Sequence, residues 1–426
     1  MISAFRQTAE SCMSADKADS PKTKPVDIFS FVFPRQVRES VKVRKLGSGG
    51  NSQVNLYGIK RGDKPLELAV KEFPKMYLKR KRDVISAIGY YNECVALSTL
   101  LDPRMIRAVA FRSRPRFPFP VREAMSKFIM QQQLSGDEFR EAVDSTARVF
   151  RQHIKCAFRA YVLMEFFDGV TLDEFIKDGI DVRTFRVILV QCLLVVNQLH
   201  TRGIMHNDLK PNNFLVRKSD LMVKLCDLGG CTAEDYQAMR FAWTPEYVAP
   251  ERSNQGRIGS TLSDVYSLGV TFNKLIDKVR WGTASGLQMQ FRRLAASMVQ
   301  RCPLDRPKID GILLKHQDDL FKAAELSYEF LAKLGKAEQL HVCRAYSLPA
   351  PTALGPSFVD VLSMLWRPFP ETLTLVDPLD YDPMAIEVSS DSDVDDDEDE
   401  AECCREYCDI LCRPLVQSNQ DKSSWA

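Results

Sequence analysis

Residues Ile204 to Val216 read IMHNDLKPNNFLV, a run in which four polar side chains of distinct chemistry sit between two apolar ends. The four are His206, Asp208, Lys210 and Asn213. Ile204-Met205 on one side and Phe214-Leu215-Val216 on the other predict two short strands anchored in a core. The polar loop between them is then held at a cleft, where rigidly mounted loops commonly carry chemistry.

Upstream, Val41 to Leu46 alternate apolar and polar residues, and Gly47-Ser48-Gly49-Gly50-Asn51-Ser52-Gln53-Val54 follows before a second apolar strand. A glycine-rich hairpin of this kind lets backbone N–H groups approach phosphate oxygens without side chains intervening. Ordinary hairpins are built the same way, so the turn decides nothing alone. Leu68-Ala69-Val70-Lys71 then places a lysine at the end of an apolar strand. A cation there needs an anionic partner or a route to solvent. Glu93, at the start of the helical stripe Cys94, Leu97, Leu100 and Leu101, is the candidate carboxylate.

In this order, glycine loop, strand lysine, helix glutamate and the H-x-D-L-K-x-x-N loop resemble the eukaryotic-type protein-kinase superfamily. Later motifs extend the likeness: Asp227-Leu228-Gly229, the T-x-x-Y-x-A-P-E run from Thr244 to Glu251, Ser263-Asp264-Val265-Tyr266-Ser267-Leu268-Gly269, and Pro303-Leu304-Asp305-Arg306-Pro307. The resemblance spans roughly residues 41 to 335. It implies an α+β, two-lobed fold with a small antiparallel β-sheet lobe carrying one helix and a mainly helical second lobe.

The site residues follow from the same likeness. Gly47 and Gly49 would border the phosphates, Val54 and Ala69 would cover the adenine of ATP from above, and Leu215 would close it from below. Met164 takes the gatekeeper position, with the main chain of Glu165 and Phe167 bonding the adenine edge. Lys71, held by Glu93, would position phosphates, and Asn213 and Asp227 would hold Mg2+. Asp208 would align the attacking hydroxyl and Lys210 would offset charge on the transferred phosphoryl. Asp264 would hold the backbone of the catalytic loop, and Arg306 would pair with Glu251. Lys210 and Thr244 resemble the serine/threonine branch, and the A-P-E run and its arginine favour protein substrates over small molecules. Asn212 stands where many kinases that prefer basic peptides carry Glu, so a basic consensus is not expected.

Four positions depart from the family pattern. Ser52 replaces the third glycine, Leu228 replaces Phe, and Trp243 replaces a small residue before Thr244. These motivate an alternative, a pseudokinase scaffold that binds nucleotide or partners without catalysis. Asn207 replaces the arginine that precedes the catalytic Asp. Kinases with that arginine often need an activation-segment phosphate to neutralise it, and Asn207 leaves the loop without that cation. Activity without such phosphorylation is the expectation.

The bulk composition sets outer limits. With 58 Lys and Arg against 56 Asp and Glu, net charge gives no argument for nucleic acid or a membrane surface, and direct nucleic-acid binding is not expected. The start of the chain lacks a charged-then-apolar leader. The apolar run from Val187 to Val196 is expected to be too short to span a bilayer. Twelve scattered cysteines suit reduced thiols in the cytoplasm or nucleus.

Domain organisation is expected as a flexible arm over residues 1–36, a kinase domain over 37–340, and an extension over 341–426. The basic cluster Lys75, Lys79, Arg80, Lys81 and Arg82 reads as a solvated helix edge. Residues 112 to about 155 exceed an ordinary connection and read as an insertion, chiefly a surface excursion, with its helical stretch from Arg122 to Leu134 placed to dock on the small lobe. A Pro-rich stretch over 348–384 and the acidic block Asp391 to Glu402 follow. That block is a candidate ligand for a basic partner, and Ser389, Ser390 and Ser392 beside it are candidate phosphorylation sites. Cys403, Cys404, Cys408 and Cys412 fit no familiar zinc spacing. The insertion and acidic tail are in the style of kinases from large DNA viruses, and a divergent cellular kinase fits as well.

Overall fold

A computed structural model describes residues 41–49, 52–59, 66–78, 81–99, 102–114, 117–131, 136–233, 244–253, 259–316, 320 and 328–346. The N-terminal arm, Gly50, Trp243, the Pro-rich and acidic stretches and the four last cysteines lie outside the described residues.

The alternating segments form one five-stranded antiparallel sheet from β1 (Val41–Ser48), β2 (Gln53–Ile59), β3 (Leu66–Glu72), β4 (Ala108–Arg114) and β5 (Arg159–Glu165), in the order β1-β2-β3-β5-β4. Its register sets Val54 opposite Lys71 and Ala69 opposite Met164. Ahead of β4, Met105 makes an isolated parallel bridge to Leu225, and regular pairing begins at Ala108. Helix α1 (Lys81–Thr99) packs beneath this sheet. Its Val84, Ala87, Ile88, Tyr91, Cys94 and Val95 are all buried.

The insertion is not a surface excursion. It forms α2 (Phe119–Ile129) and α3 (Gly136–His153), a helical pair laid against α1. Phe139, Val143, Ala147 and Phe150 recur at helical spacing and are buried, and Val121, Met125, Phe128 and Ile129 of α2 meet them in the main core. Such a stripe must be covered, and α1 with the sheet end covers it. Phe117 stacks on Phe158 with ring centres 4.4 Å apart, and both rings contact Tyr90 of α1. The Tyr91 hydroxyl meets Ser126 Oγ at 3.1 Å. Lys81 pairs with Asp144 at 2.8 Å, so that part of the basic cluster faces the insertion instead of solvent alone.

The second lobe is built on α4 (Val182–His200), which is capped by Asp181 accepting the Thr184 N–H. By length and composition α4 is long and apolar enough to cross a membrane, which the shorter run read from sequence was not, and 67% of its most apolar window is buried inside the protein. Around it stand α5 (Thr261–Asp277) and α6 (Ser285–Met298). They approach so closely at Gly269 that a Cβ there would lie 2.7 Å from Met298 Cβ.

A last helix, α7 (Tyr328–Tyr346), runs through the domain end expected at 340. It continues because Val342 and Tyr346 close a small cluster with Leu68, Val70, Val109 and Leu163 on the sheet. Lower down, Leu331 joins the main core and its carbonyl accepts from Arg104.

Candidate active site between the lobes

Lys71 occupies the inner end of β3 and is 7% exposed. Its ammonium donates to both Glu93 oxygens at 2.7 Å and to Asp227 Oδ1 at 2.8 Å. Burial opposes the charge on Lys71, yet the Asp227 and Glu93 carboxylates hold the ammonium above its ordinary range. The same ammonium brings Asp227 down to about 2 against the opposing effect of burial, whereas burial pushes Glu93 up. One cation thus joins the sheet, α1 and the second lobe. Removing Lys71 would leave two neighbouring carboxylates, Glu93 of them buried, without their cation, the situation that makes broken buried pairs destabilising.

Around Asp208 the loop closes as a compact set. Lys210 Nζ donates to Asp208 Oδ2 at 2.6 Å and to Thr244 Oγ1 at 2.8 Å, while the Thr244 hydroxyl donates to Asp208 Oδ1 at 2.9 Å. Asn213 Nδ2 donates to the Asp208 carbonyl at 2.8 Å and more distantly to its carboxylate. The flanking strands form as the apolar ends predict: Ile204–Met205 pairs with Thr232–Ala233, and Phe214–Val216 pairs with Val223–Leu225. Thr244 therefore brings the chain ahead of the A-P-E run onto the Asp208 carboxylate.

Buried supports fix this loop. Asp264 on α5 accepts the N–H of His206 at 2.6 Å and of Asn207 at 2.8 Å. Despite burial, the neighbouring His200, bonded at 3.1 Å, holds the Asp264 carboxyl below its ordinary range. Arg306 meets Glu251 with two bonds, at 2.7 and 2.8 Å. The planar fork suits a carboxylate in that way.

Two buried asparagines hold the root of the activation segment. From α1, Asn92 Nδ2 donates to the carbonyls of Gly229 at 3.0 Å and Cys231 at 2.6 Å. From the catalytic loop, Asn207 Nδ2 donates to the Gly230 carbonyl at 2.8 Å and to Thr232 Oγ1 at 2.9 Å. Four successive residues are thereby held from two sides by uncharged amides. Asn207 and Asp227 have φ of 71° and 61°, a left-handed backbone that Asn and Asp tolerate better than most side chains.

The arginine that Asn207 replaces is absent, as read from sequence, but another cation reaches the same place. Arg252, 4% exposed, donates to the Asn207 carbonyl at 2.7 Å. Burial lowers its basicity, and the charges of Asp264, Asp208 and Glu251 oppose that lowering. The sequence pattern hid this residue because it follows the A-P-E run rather than preceding Asp208.

The protein kinase domain family matches residues 40–310, more than half of the chain. The chain belongs to the protein kinase family. It is 36% identical over 126 residues to the serine/threonine-protein kinase Pkn1 of Myxococcus xanthus, an alignment covering 28% of this chain and 18% of that protein. It is 29% identical over 194 residues to eukaryotic translation initiation factor 2-alpha kinase 1 of Plasmodium falciparum, covering 44% of this chain and 11% of the relative. With the maternal embryonic leucine zipper kinase of Xenopus laevis it shares 30% identity over 165 residues, 35% of this chain and 25% of that one. The chain thus spans a quarter or less of the length of these relatives.

The remaining sequence-chosen residues sit on the sheet, on the segment that follows it and on the strand after the loop. Ala69 and Met164 are buried, and Val54 and Leu215 are partly buried against the same core. Phe167 is buried, and its carbonyl accepts from Gly169 N at 2.8 Å. A Cβ at Gly47 would meet nothing within 4 Å, and Gly49 N–H closes the hairpin onto the Ser52 carbonyl at 2.9 Å. Leu228 is 1% exposed and fills a core position as an apolar residue should. Asn213 keeps its side-chain oxygen outside the bonds to Asp208, and Asp227 supplies a carboxylate. Two hard oxygen donors, with phosphates and water completing the shell, fit a divalent cation.

Proposed function

We propose that this chain is a catalytically competent serine/threonine protein kinase that uses ATP with Mg2+ and needs no phosphate on its activation segment. The observation that carries the reading is Lys71 bridging Glu93 and Asp227, since it assembles from three separate elements the charges that phosphoryl transfer requires. ATP supplies the phosphoryl group, and magnesium offsets its charge when bound to Asn213 and Asp227. Lys71 anchors phosphate oxygens at the inner wall. Asp208 orients the incoming hydroxyl and accepts its proton, with Thr244 and Lys210 fixing the carboxylate. Lys210 also lies where it can offset charge on the moving phosphoryl. Positioning and charge stabilisation of this kind are the main contributions a protein makes to the reaction.

Independence from activation-segment phosphorylation rests on Asn92 and Asn207, whose amides already hold residues 229–232, and on Arg252, which already meets the Asn207 carbonyl and the charges of Asp264, Asp208 and Glu251. The free thiols Cys192 and Cys231, both buried, support a reducing compartment, cytoplasm or nucleus. Proteins are the proposed substrates, and a basic protein is the proposed partner of the acidic tract.

The test compares the purified chain with Asp208→Asn for transfer of labelled γ-phosphate to protein. Loss of transfer by at least about a hundredfold is expected, corresponding to about 2.7 kcal/mol of lost transition-state stabilisation. Equal residual transfer would favour the scaffold reading, and labelling of metabolites alone would favour a small-molecule kinase.

A further inference from the structure

We propose that Tyr346 is a positioning residue for the nucleotide, acting from the C-terminal helix through the main chain that would meet adenine. The proposal rests on the reading of Glu165 and Phe167 as the adenine-binding segment. Helix α7 lies wholly beyond residue 310, where the family match ends, so its contacts fall outside the matched region.

The Tyr346 hydroxyl accepts the Phe166 N–H at 2.7 Å and donates to the Glu67 carbonyl at 2.7 Å. The side chain is 5% exposed, so these bonds form away from competing water. The Phe166 N–H and the Glu165 carbonyl belong to one planar trans peptide unit, and they point in opposite directions. Drawing the N–H toward α7 therefore turns the Glu165 carbonyl away from α7, toward the cleft. That carbonyl can bond adenine only through the exocyclic amine, the base's hydrogen donor.

Glu165 is held from the same side. Its carboxylate meets Lys224 at 2.7 Å, Lys224 meets Glu338 of α7 at 2.9 Å, and Glu338 meets Arg217 at 2.6 Å. The Glu165 N–H donates to the Arg107 carbonyl, and its Oε1 accepts the Arg107 N–H. Two successive residues of the segment are thus attached to α7, one directly and one through Lys224. The hinge is pre-set from behind, which is how preorganisation improves affinity without a new ligand contact.

The test is Tyr346→Phe in the full chain. Affinity for ATP is expected to fall about fivefold, the effect of one buried hydrogen bond, with kcat changed by less than about twofold. The loss is expected to shrink for purine riboside triphosphate, which lacks the exocyclic amine. Unchanged ATP affinity, or equal losses for both nucleotides, would overturn the proposal. Should the variant fail to fold, hydrogen exchange at the Phe166 amide of the unaltered chain decides: strong protection supports the bond and free exchange refutes it. Absence of nucleotide binding by the unaltered chain would instead overturn the adenine reading beneath it, while the amide exchange still reports on the bond.

Discussion

Replacing Asn207 by Ala tests the proposal that uncharged amides, and not a phosphate, hold the activation segment. The change removes one side-chain amide and with it the bonds to the Gly230 carbonyl and Thr232 Oγ1. Thr232 is fully buried, so bulk water does not replace the lost donor. A buried acceptor stripped of its partner costs roughly 1 to 3 kcal/mol. Holding Ala instead of Asn in the left-handed region at φ 71° adds about 1 kcal/mol. The Thr232 hydroxyl can rotate to another acceptor, so the Gly230 carbonyl carries most of the effect.

Because residues 229–232 form the segment root just after Asp227, relaxation there displaces the metal-binding carboxylate before it unfolds the lobe. A combined loss of about 2 to 4 kcal/mol in the aligned state predicts a fall in kcat/KM of about thirtyfold to several hundredfold. The assay is steady-state phosphorylation of a protein substrate by enzyme pretreated with phosphatase, run beside the unaltered chain after the same treatment. The unaltered chain should keep its activity. Activity of Asn207→Ala within about threefold of the unaltered chain would refute the reasoning, as would loss of the unaltered chain's own activity on phosphatase treatment.

Three further outcomes follow from the geometry. Phe117→Ala, which removes a ring stacked at 4.4 Å between the insertion and Phe158, should destabilise the fold by about 3 to 5 kcal/mol; an unfolding midpoint close to that of the unaltered chain would show that the insertion does not brace α1. Gly269→Ala places a methyl 2.7 Å from Met298 Cβ and should destabilise by about 1 to 3 kcal/mol through overpacking, read as a lower melting temperature; an unchanged midpoint would count against the close approach of α5 and α6. Asp227 is depressed from its ordinary 3.8 to about 2 by Lys71, so its stabilising contribution should be complete above about pH 4 and disappear as pH falls toward 2. The difference in melting temperature between the unaltered chain and Asp227→Asn should therefore narrow over that interval, and a constant difference would contradict the pairing.

The architecture around the catalytic loop was legible because its signals are local. Apolar ends around HNDLKPNN dictate the paired strands, and the alternation of β1 with the glycine turn dictates a hairpin. The pairing of Lys71 with Glu93 was legible from the cost of burying a lone lysine. Asn92 was not, because a polar residue within an apolar helical stripe looks the same whether it faces solvent or a backbone carbonyl of residue 229. Arg252 was hidden by its place in the chain, 45 residues from the carbonyl it meets.

The insertion was misread because charged residues dilute the stripe of Phe139, Val143, Ala147 and Phe150, while the Pro-rich entry at RSRPRFPFP suggested irregular chain. The domain end expected at 340 falls inside α7 because the burial of Val342 and Tyr346 depends on strands far away in sequence. Contacts of that range leave no periodic trace beyond the helix itself.

A latch between charged partners would weaken in salt and titrate with pH, since screening and proton binding act on charge. The pair formed by Asn92 and Asn207 has neither susceptibility, and a phosphatase finds nothing on it to remove. The working position of residues 229–232 is thus written into the polypeptide as it is synthesised. Under the proposed function, control would shift to the amount of chain made, to where it is held, and to which proteins reach its cleft.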